Sequence, residues 1–265
     1  MTLKLHGNIL VDVPPTVCLP SLKTLQLRYV TYLNEDSLRL LLSHCLVLED
    51  LLIARRDKHD NLRAVVVNFP SLQRLSLQIV SVCSSDDGYV IVTPCLRYFK
   101  IVDHRDFHSY LMEPMPKLEE ADIHVLGNIG SILESITSVR RLSLGCNGPK
   151  EFVHRAGIVF NQLEHLNLSI YTHNWSDFLV WMLGHSPKLR ALNLSVGRFP
   201  QFAVYQPVKW SSVPECLLRS LETFEFKDYT GTQEQRDFLS FFFKHASCLR
   251  SASIIRHVPD LSHSF

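Results

Sequence analysis

The sequence predicts an α/β solenoid: a curved parallel sheet on the concave side, with helices and loops on the convex side. Three observations carry this. A six-residue phrase has apolar residues at its first, fourth and sixth positions; it returns every 21 to 32 residues; and chain-breaking or amphipathic stretches separate the copies. The clearest copies are LKTLQL from Leu22, LQRLSL from Leu72, VRRLSL from Val139, LEHLNL from Leu163 and LRALNL from Leu189. Weaker ones begin at Leu48, Leu96, Leu118, Leu221 and Leu249. The pattern L-x-x-L-x-L at this period marks leucine-rich repeats. The last two apolar residues alternate along a short strand, so both point into the core. The first lies just before the strand and turns into the same core, and stacked units form one parallel sheet.

The earliest strand falls near residues 2–5, where Leu3 and Leu5 match Leu25 and Leu27. It has no complete unit before it, so fraying is expected there. Pro20, Pro70, Pro94, Pro116 and Pro187 each stand two residues before a first apolar position, where proline stops the preceding element and favours extended chain. Helices are predicted over residues 34–45, 175–185 and 232–245. The last opens with a Thr232/Gln235 capping-box spacing and carries Phe238, Phe241 and Phe242 on one face. Gly184 sits near the end of the second helix. Residues 83–94 are predicted as loop or short strand. His44, His185 and His245 each stand four residues before a first apolar position. Units this far apart cannot share a metal, so these imidazoles are expected to bond the last carbonyls of their helices. The Phe-rich helix and residues 256–265 are expected to close the C-terminal end.

Composition excludes several function classes. With 27 basic and 26 acidic side chains, net charge +1, there is no electrostatic case for nucleic acid or a membrane surface. No apolar run is long enough to cross a bilayer and no signal-peptide pattern opens the chain, so a cytoplasmic or nuclear location is expected. Seven scattered cysteines without C-x-x-C fit buried free thiols in a reducing compartment, and the sequons at Asn167, Asn174 and Asn193 are taken as chance matches. No catalytic, metal or cofactor-binding residue is assigned. His104–Arg105–Asp106 lacks every other kinase element. Asp86 and Asp87 beside Gly88 are expected in a solvated turn, and Arg55, Arg56, Lys58 and His59 on a solvated loop face.

The remaining functional feature is a surface. Residues alternating with the inward ones face the concave side, and they vary from unit to unit. Arg28, Arg74, Tyr98, Lys100, Glu120, Asp122, His165, Asn193 and Glu225 are the candidate partner-binding residues.

From Trp210 onward the chain resembles the FBD domain of plant F-box/LRR proteins. The matching residues are Trp210, Val213-Pro214, Cys216-Leu217, Leu221, Phe224, Tyr229-x-Gly231, the apolar helix through Phe243, and Leu249. Upstream, residues 18–53 and 69–77 resemble the repeat region of the same family. Phe226 stands where tryptophan is expected, and an inward asparagine after the strand occurs only at Asn147. The resemblance implies leucine-rich repeats over residues 1–195, a join over 196–209 and an FBD domain over 210–265 that continues the solenoid. It implies a non-enzymatic substrate-recognition region of an SCF-type ubiquitin ligase, binding an unknown protein substrate without a cofactor. Skp1 and cullin would be reached only if an F-box were supplied upstream. The alternatives are a truncated or decoy protein that binds targets without recruiting Skp1, and an enzyme on a solenoid scaffold.

Overall fold

A computed structural model describes residues 1–56, 61–62, 64–79, 88–105, 110–127, 129–147, 157–172, 175–197, 207–208 and 210–256. The chain divides into two compact units, residues 1–142 and 143–265.

In the first unit the main sheet contains β1 (Thr2–His6), β3 (Thr24–Arg28), β5 (Asp50–Arg55), β7 (Arg74–Ile79), β9 (Tyr98–Asp103) and β11 (Glu120–Val125), in that order, each pairing parallel with the next. The register is one-to-one on the repeat phrase: Leu3, Leu25, Leu51, Leu75, Phe99 and Ala121 form one inward row, and Leu5, Leu27, Ile53, Leu77, Ile101 and Ile123 the next. From Leu25 onward these side chains are buried, as are the first apolar residues Leu22, Leu48, Leu72, Leu96 and Leu118. Leu3 and Leu5, on the outermost strand, are only half-buried.

The strands between phrases form smaller sheets. β2 (Leu10–Val11) pairs with β4 (Thr31–Tyr32), and β6 (Val65–Asn68), β8 (Tyr89–Val92) and β10 (Tyr110–Met112) form a second parallel sheet in the order β10-β8-β6. Helices α1 (Asp36–Ser43) and α2 (Gly130–Ser135) complete this unit. The division between the units falls within β12 (Arg141–Cys146).

In the second unit β13 (His165–Ile170), β14 (Ala191–Val196), β15 (Thr223–Tyr229) and β16 (Ser251–Arg256) pair in sequence, all parallel. Helices α3 (Trp175–Gly184), α4 (Glu215–Arg219) and α5 (Gln233–His245) lie between them in sequence. Their core is aromatic. Phe224 lies 4.3 Å from Phe242, Trp175 packs edge-on to Phe238 at 5.7 Å, and Trp210 stacks on Phe241 at 4.0 Å between ring centroids. Phe226, the aromatic exchange noted above, is fully buried among Trp175, Phe224 and Tyr229.

The capping box forms as the spacing predicts. Thr232 Oγ1 accepts from the Gln235 amide, and Gln235 Oε1 accepts from the amides of Thr230, Gly231 and Thr232. Gly231 sits at φ 75°, a left-handed conformation that favours glycine. His185 and His245 direct Nδ1 to the carbonyls of Trp181 and Phe241, at 2.7 and 2.9 Å, so these two cap as expected. At the end of α1 the backbone closes the helix instead, the His44 N–H donating to the Leu41 carbonyl and the Cys45 N–H to that of Leu42.

Two expectations are corrected. Arg55 is not on a solvated face: it is 5% exposed and donates to the Leu62 carbonyl. Lys58, His59, Asp86, Asp87 and Asp106 lie outside the described residues. The C-terminal end is not closed by the Phe-rich helix, because every residue of β16 is exposed, including the inward-phase Ala252 and Ile254. Residues 257–265, expected to help, lie outside the described residues. Helices α2 and α4 and the three-stranded second sheet were not individually predicted, because none carries a long periodic apolar pattern.

Candidate functional site

Strand alternation raises one row of side chains for every inward row, so the open face of the sheet follows from the same register that builds the core. In the first unit the outward rows read Thr2, Thr24, Asp50, Arg74, Tyr98, Glu120, then Lys4, Gln26, Leu52, Ser76, Lys100, Asp122, then His6, Arg28, Ala54, Gln78, Val102, His124. Five candidate residues therefore meet on adjacent strands. The Arg74 guanidinium lies 4.5 Å over the Tyr98 ring. Lys100 Nζ bonds Asp122 Oδ2 at 2.5 Å, and His124 Nε2 lies 3.0 Å from the other carboxylate oxygen. Arg141 bonds Glu120 at 3.0 Å. Arg28 stands two strands from Arg74, next to Ala54 of β5.

These contacts tune charge. The hydrogen bond from His124, with that from Lys100, holds the Asp122 carboxyl down at about 2. The Asp122 bond raises Lys100. Burial raises Tyr98 and Asp50, the latter against the opposing pull of Arg74 and Lys4. Lys100, Glu120 and Asp122 thus satisfy one another or near neighbours, while Arg74, stacked over Tyr98, is exposed.

In the second unit His165 registers with Ala191 and Thr223, and Asn193 stands between Asn167 and Glu225. Glu225 pairs with Lys227 at 3.1 Å, and Ser195 donates to Asp228. His165 and Asn193 are exposed.

Three features were missed by sequence reasoning. The second residue of each phrase alternates in charge. In the first unit these residues are Lys23, Glu49, Gln73, Arg97, Glu119 and Arg140; in the second they are Glu164, Arg190, Glu222 and Arg250. Pairs form at Lys23–Glu49 (2.8 Å), Arg97–Glu119 (2.8 Å), Arg190–Glu222 (2.6 Å) and Arg250–Glu222 (3.3 Å). The signal was visible in the aligned phrases. Secondly, serines just before the first apolar residue bond the preceding unit: Ser71 to the Leu48 carbonyl, Ser138 to Met115 and Leu118, Ser220 to Pro187 and Leu189. They do the linking work for which an inward asparagine is absent. Thirdly, Asp103 sits at 0% side-chain exposure in the inward row Arg55, Ile79, Asp103, Val125, flanked by Ile79 and Val125. Arg105 grips both its oxygens at 2.9 and 2.7 Å, and Tyr110 of the second sheet donates to it at 3.3 Å. Through Tyr110 this buried pair ties the main sheet to the three-stranded sheet. It is structural, and no sequence spacing foretold it.

Among the described residues no group of three His, Cys, Asp or Glu side chains could hold a metal, and no helix is long and apolar enough to cross a membrane.

A phrase strand from each repeat, laid in a parallel ladder with its apolar residues buried in register, defines a leucine-rich-repeat protein. The sequence model of the FBD family matches residues 209–254. The model described as "FBD-associated F-box protein At5g56370, LRR repeats" matches residues 3–119. The chain is 53% identical to the FBD-associated F-box protein At5g60610 of Arabidopsis thaliana, covering 96% of this chain and 67% of that protein. It is 60% identical to the putative FBD-associated F-box protein At5g56700 of the same plant, covering 99% and 67%. With the putative F-box/FBD/LRR-repeat protein At5g62970 identity is 44%, over 96% of this chain and 58% of that one. The chain belongs to the plant F-box/FBD/LRR-repeat family. No solved structure matches it.

Proposed function

We propose that this chain is a non-catalytic region that recognises a protein substrate for an SCF-type ubiquitin ligase, docking it on the open face of the sheet. The observation that carries this is the register. It buries two apolar rows and, by the same alternation, displays outward rows whose side chains differ from strand to strand. Such a face suits an extended or folded protein partner and holds no reaction chemistry. The relatives are named for an F-box, and an F-box docks Skp1, so delivery of the substrate needs that module joined to this one. Leucine-rich repeats over residues 1–195, a join over 196–209 and an FBD domain over 210–265 remain the proposed division of labour. The proposal places the partner in the cytoplasm or nucleus, with neither nucleic acid nor membrane involved.

Charge reversal tests it. Arg28→Glu, Arg74→Glu and Glu225→Lys should each reduce recovery of partners cross-linked to the full chain, identified by mass spectrometry, with the melting curve unchanged. Arg39 and Arg236 lie on helix surfaces, in α1 and α5. If Arg39→Glu and Arg236→Glu cause the loss instead, the open face is not the docking surface.

A further inference from the structure

The edge of β16 departs from every strand before it in the second unit. Its inward-phase residues Ala252 and Ile254 register with Phe224 and Phe226, which are 2% and 0% exposed, yet Ile254 is 43% exposed. Phe243 of α5, 45% exposed, lies edge-on to Phe224 at 6.2 Å, so it belongs to the same apolar end. Among the described residues no strand pairs with the far side of β16. Its row of backbone N–H and C=O groups is therefore available as a template for another strand.

The charge column says what kind of strand fits. Every acidic rung is followed two and four residues later by inward residues: Glu49, Leu51, Ile53; Glu119, Ala121, Ile123; Glu164, Leu166, Leu168; Glu222, Phe224, Phe226. In the second unit the column runs Glu164, Arg190, Glu222, Arg250, so it stops on a cation. Glu222 already faces two guanidiniums, Arg190 at 2.6 Å and Arg250 at 3.3 Å, which leaves Arg250 under-neutralised; its side chain is 76% exposed. Lys244 and Arg256, in the adjoining helix end and on β16 itself, add positive charge without an ion-pair partner among the described residues.

We propose that β16 receives an extended segment of a partner protein by parallel strand addition. That segment has the pattern acidic-x-apolar-x-apolar, its carboxylate set against Arg250 and its apolar side chains against Ala252 and Ile254. The site is separate from the open face. A second copy of the chain does not supply this pattern from its own sheet edges: Met1 stands two residues before Leu3 of β1, and β16 is preceded by Arg250 itself. Nor do residues 257–265, whose one acidic residue, Asp260, is followed two and four positions later by Ser262 and Ser264.

The probe is a fluorescent peptide, Ser-Glu-Thr-Leu-Thr-Leu-Thr, compared by anisotropy on the full chain with its twin carrying lysine for glutamate. The glutamate peptide should bind about tenfold more tightly and should slow amide exchange within Ser251–Arg256. Arg250→Glu should reverse the preference between the peptides, Arg250→Gln should abolish it, and Ile254→Asp should remove binding of both. Both sites are exposed, and melting curves check that the three variants fold. Arg28→Glu and Arg74→Glu should leave peptide binding intact, so failure of the open-face reading is separable from failure here. Equal binding of the two peptides overturns the proposal, as does protection outside β16. So does a dimer in sedimentation that Ile254→Asp dissolves, since the occupant is then a second copy. Binding that appears only after removal of residues 257–265 overturns it too, since the chain's own tail then holds the edge.

Discussion

At the scale of single residues, strand phase decides what a substitution costs. Leu142 and Leu192 are 2% and 0% exposed, while their neighbours Ser143 and Asn193 face outward. Truncating a buried leucine loses its transfer free energy and leaves a cavity, so Leu142→Ala and Leu192→Ala should each destabilise by about 2–5 kcal/mol. Ser143→Ala and Asn193→Ala should stay within about 0.5 kcal/mol. Thermal melts of the four variants check the phase: equal losses within each pair would mean the strands are rotated by one residue. The Asp122 carboxyl gives a pH-resolved test. Its folded pKa is depressed to about 2 by His124 and Lys100, so its stabilisation is present above the unfolded value of about 4 and fades as pH falls toward 2. The stability gap between wild type and Asp122→Asn, measured by denaturant titration, should be full at pH 5 to 6 and close between about pH 4 and pH 2. A gap that persists at pH 2 would rule out the ionised carboxylate as its source.

At the scale of elements, the strands of the phrase were legible because two constraints coincide in six residues: alternation fixes the inward pair, and the period fixes the neighbour. α5 was legible for a similar reason, since its cap and its apolar face agree. That cap is testable. Thr232→Ala removes one acceptor and should cost about 0.5–2 kcal/mol. Gln235→Ala should cost more, because Gln235 Oε1 serves three backbone amides in a side chain that is 3% exposed. Denaturant midpoints order the two, and equal costs would mean that water replaces the glutamine. What stayed illegible depends on partners distant in sequence or on single atoms. Arg105 sits in an HRD triplet, and only the fold brings Tyr110 and the Asp103 carboxylate around it. β6, β8 and β10 are three or four residues long, too short for periodicity to separate from loop. The serine links of Ser71, Ser138 and Ser220 rest on one hydroxyl each. On the candidate surface, sequence placed residues on the outward phase but could not show that Lys100 and Asp122 satisfy each other, which shifts the weight of the proposed site toward the exposed Arg74.

At the scale of the whole molecule, the chain spans 67% of two of its relatives' lengths and 58% of a third, so assembly with the rest of such a protein is the open question. β1 supplies a handle on it. Leu3 and Leu5 are half-buried where Leu25 and Leu27, one strand inward and in register, are fully buried. A further strand laid parallel on β1 would bring neighbours for both leucines and pair the outer backbone edge, and local opening free energy rises with such contacts. Joining the upstream portion of the FBD-associated F-box relative At5g60610 to Met1 should therefore slow amide exchange across Thr2–His6, leaving Ser251–Arg256 unaffected. The same fusion should gain Skp1 binding by calorimetry, whereas residues 1–265 alone should show none. The two readouts separate the causes. Slowed exchange without Skp1 binding would support repeat stacking and sink the receptor reading. Tight Skp1 binding by residues 1–265 alone would place the docking element within this chain and overturn the assignment of recognition alone to it.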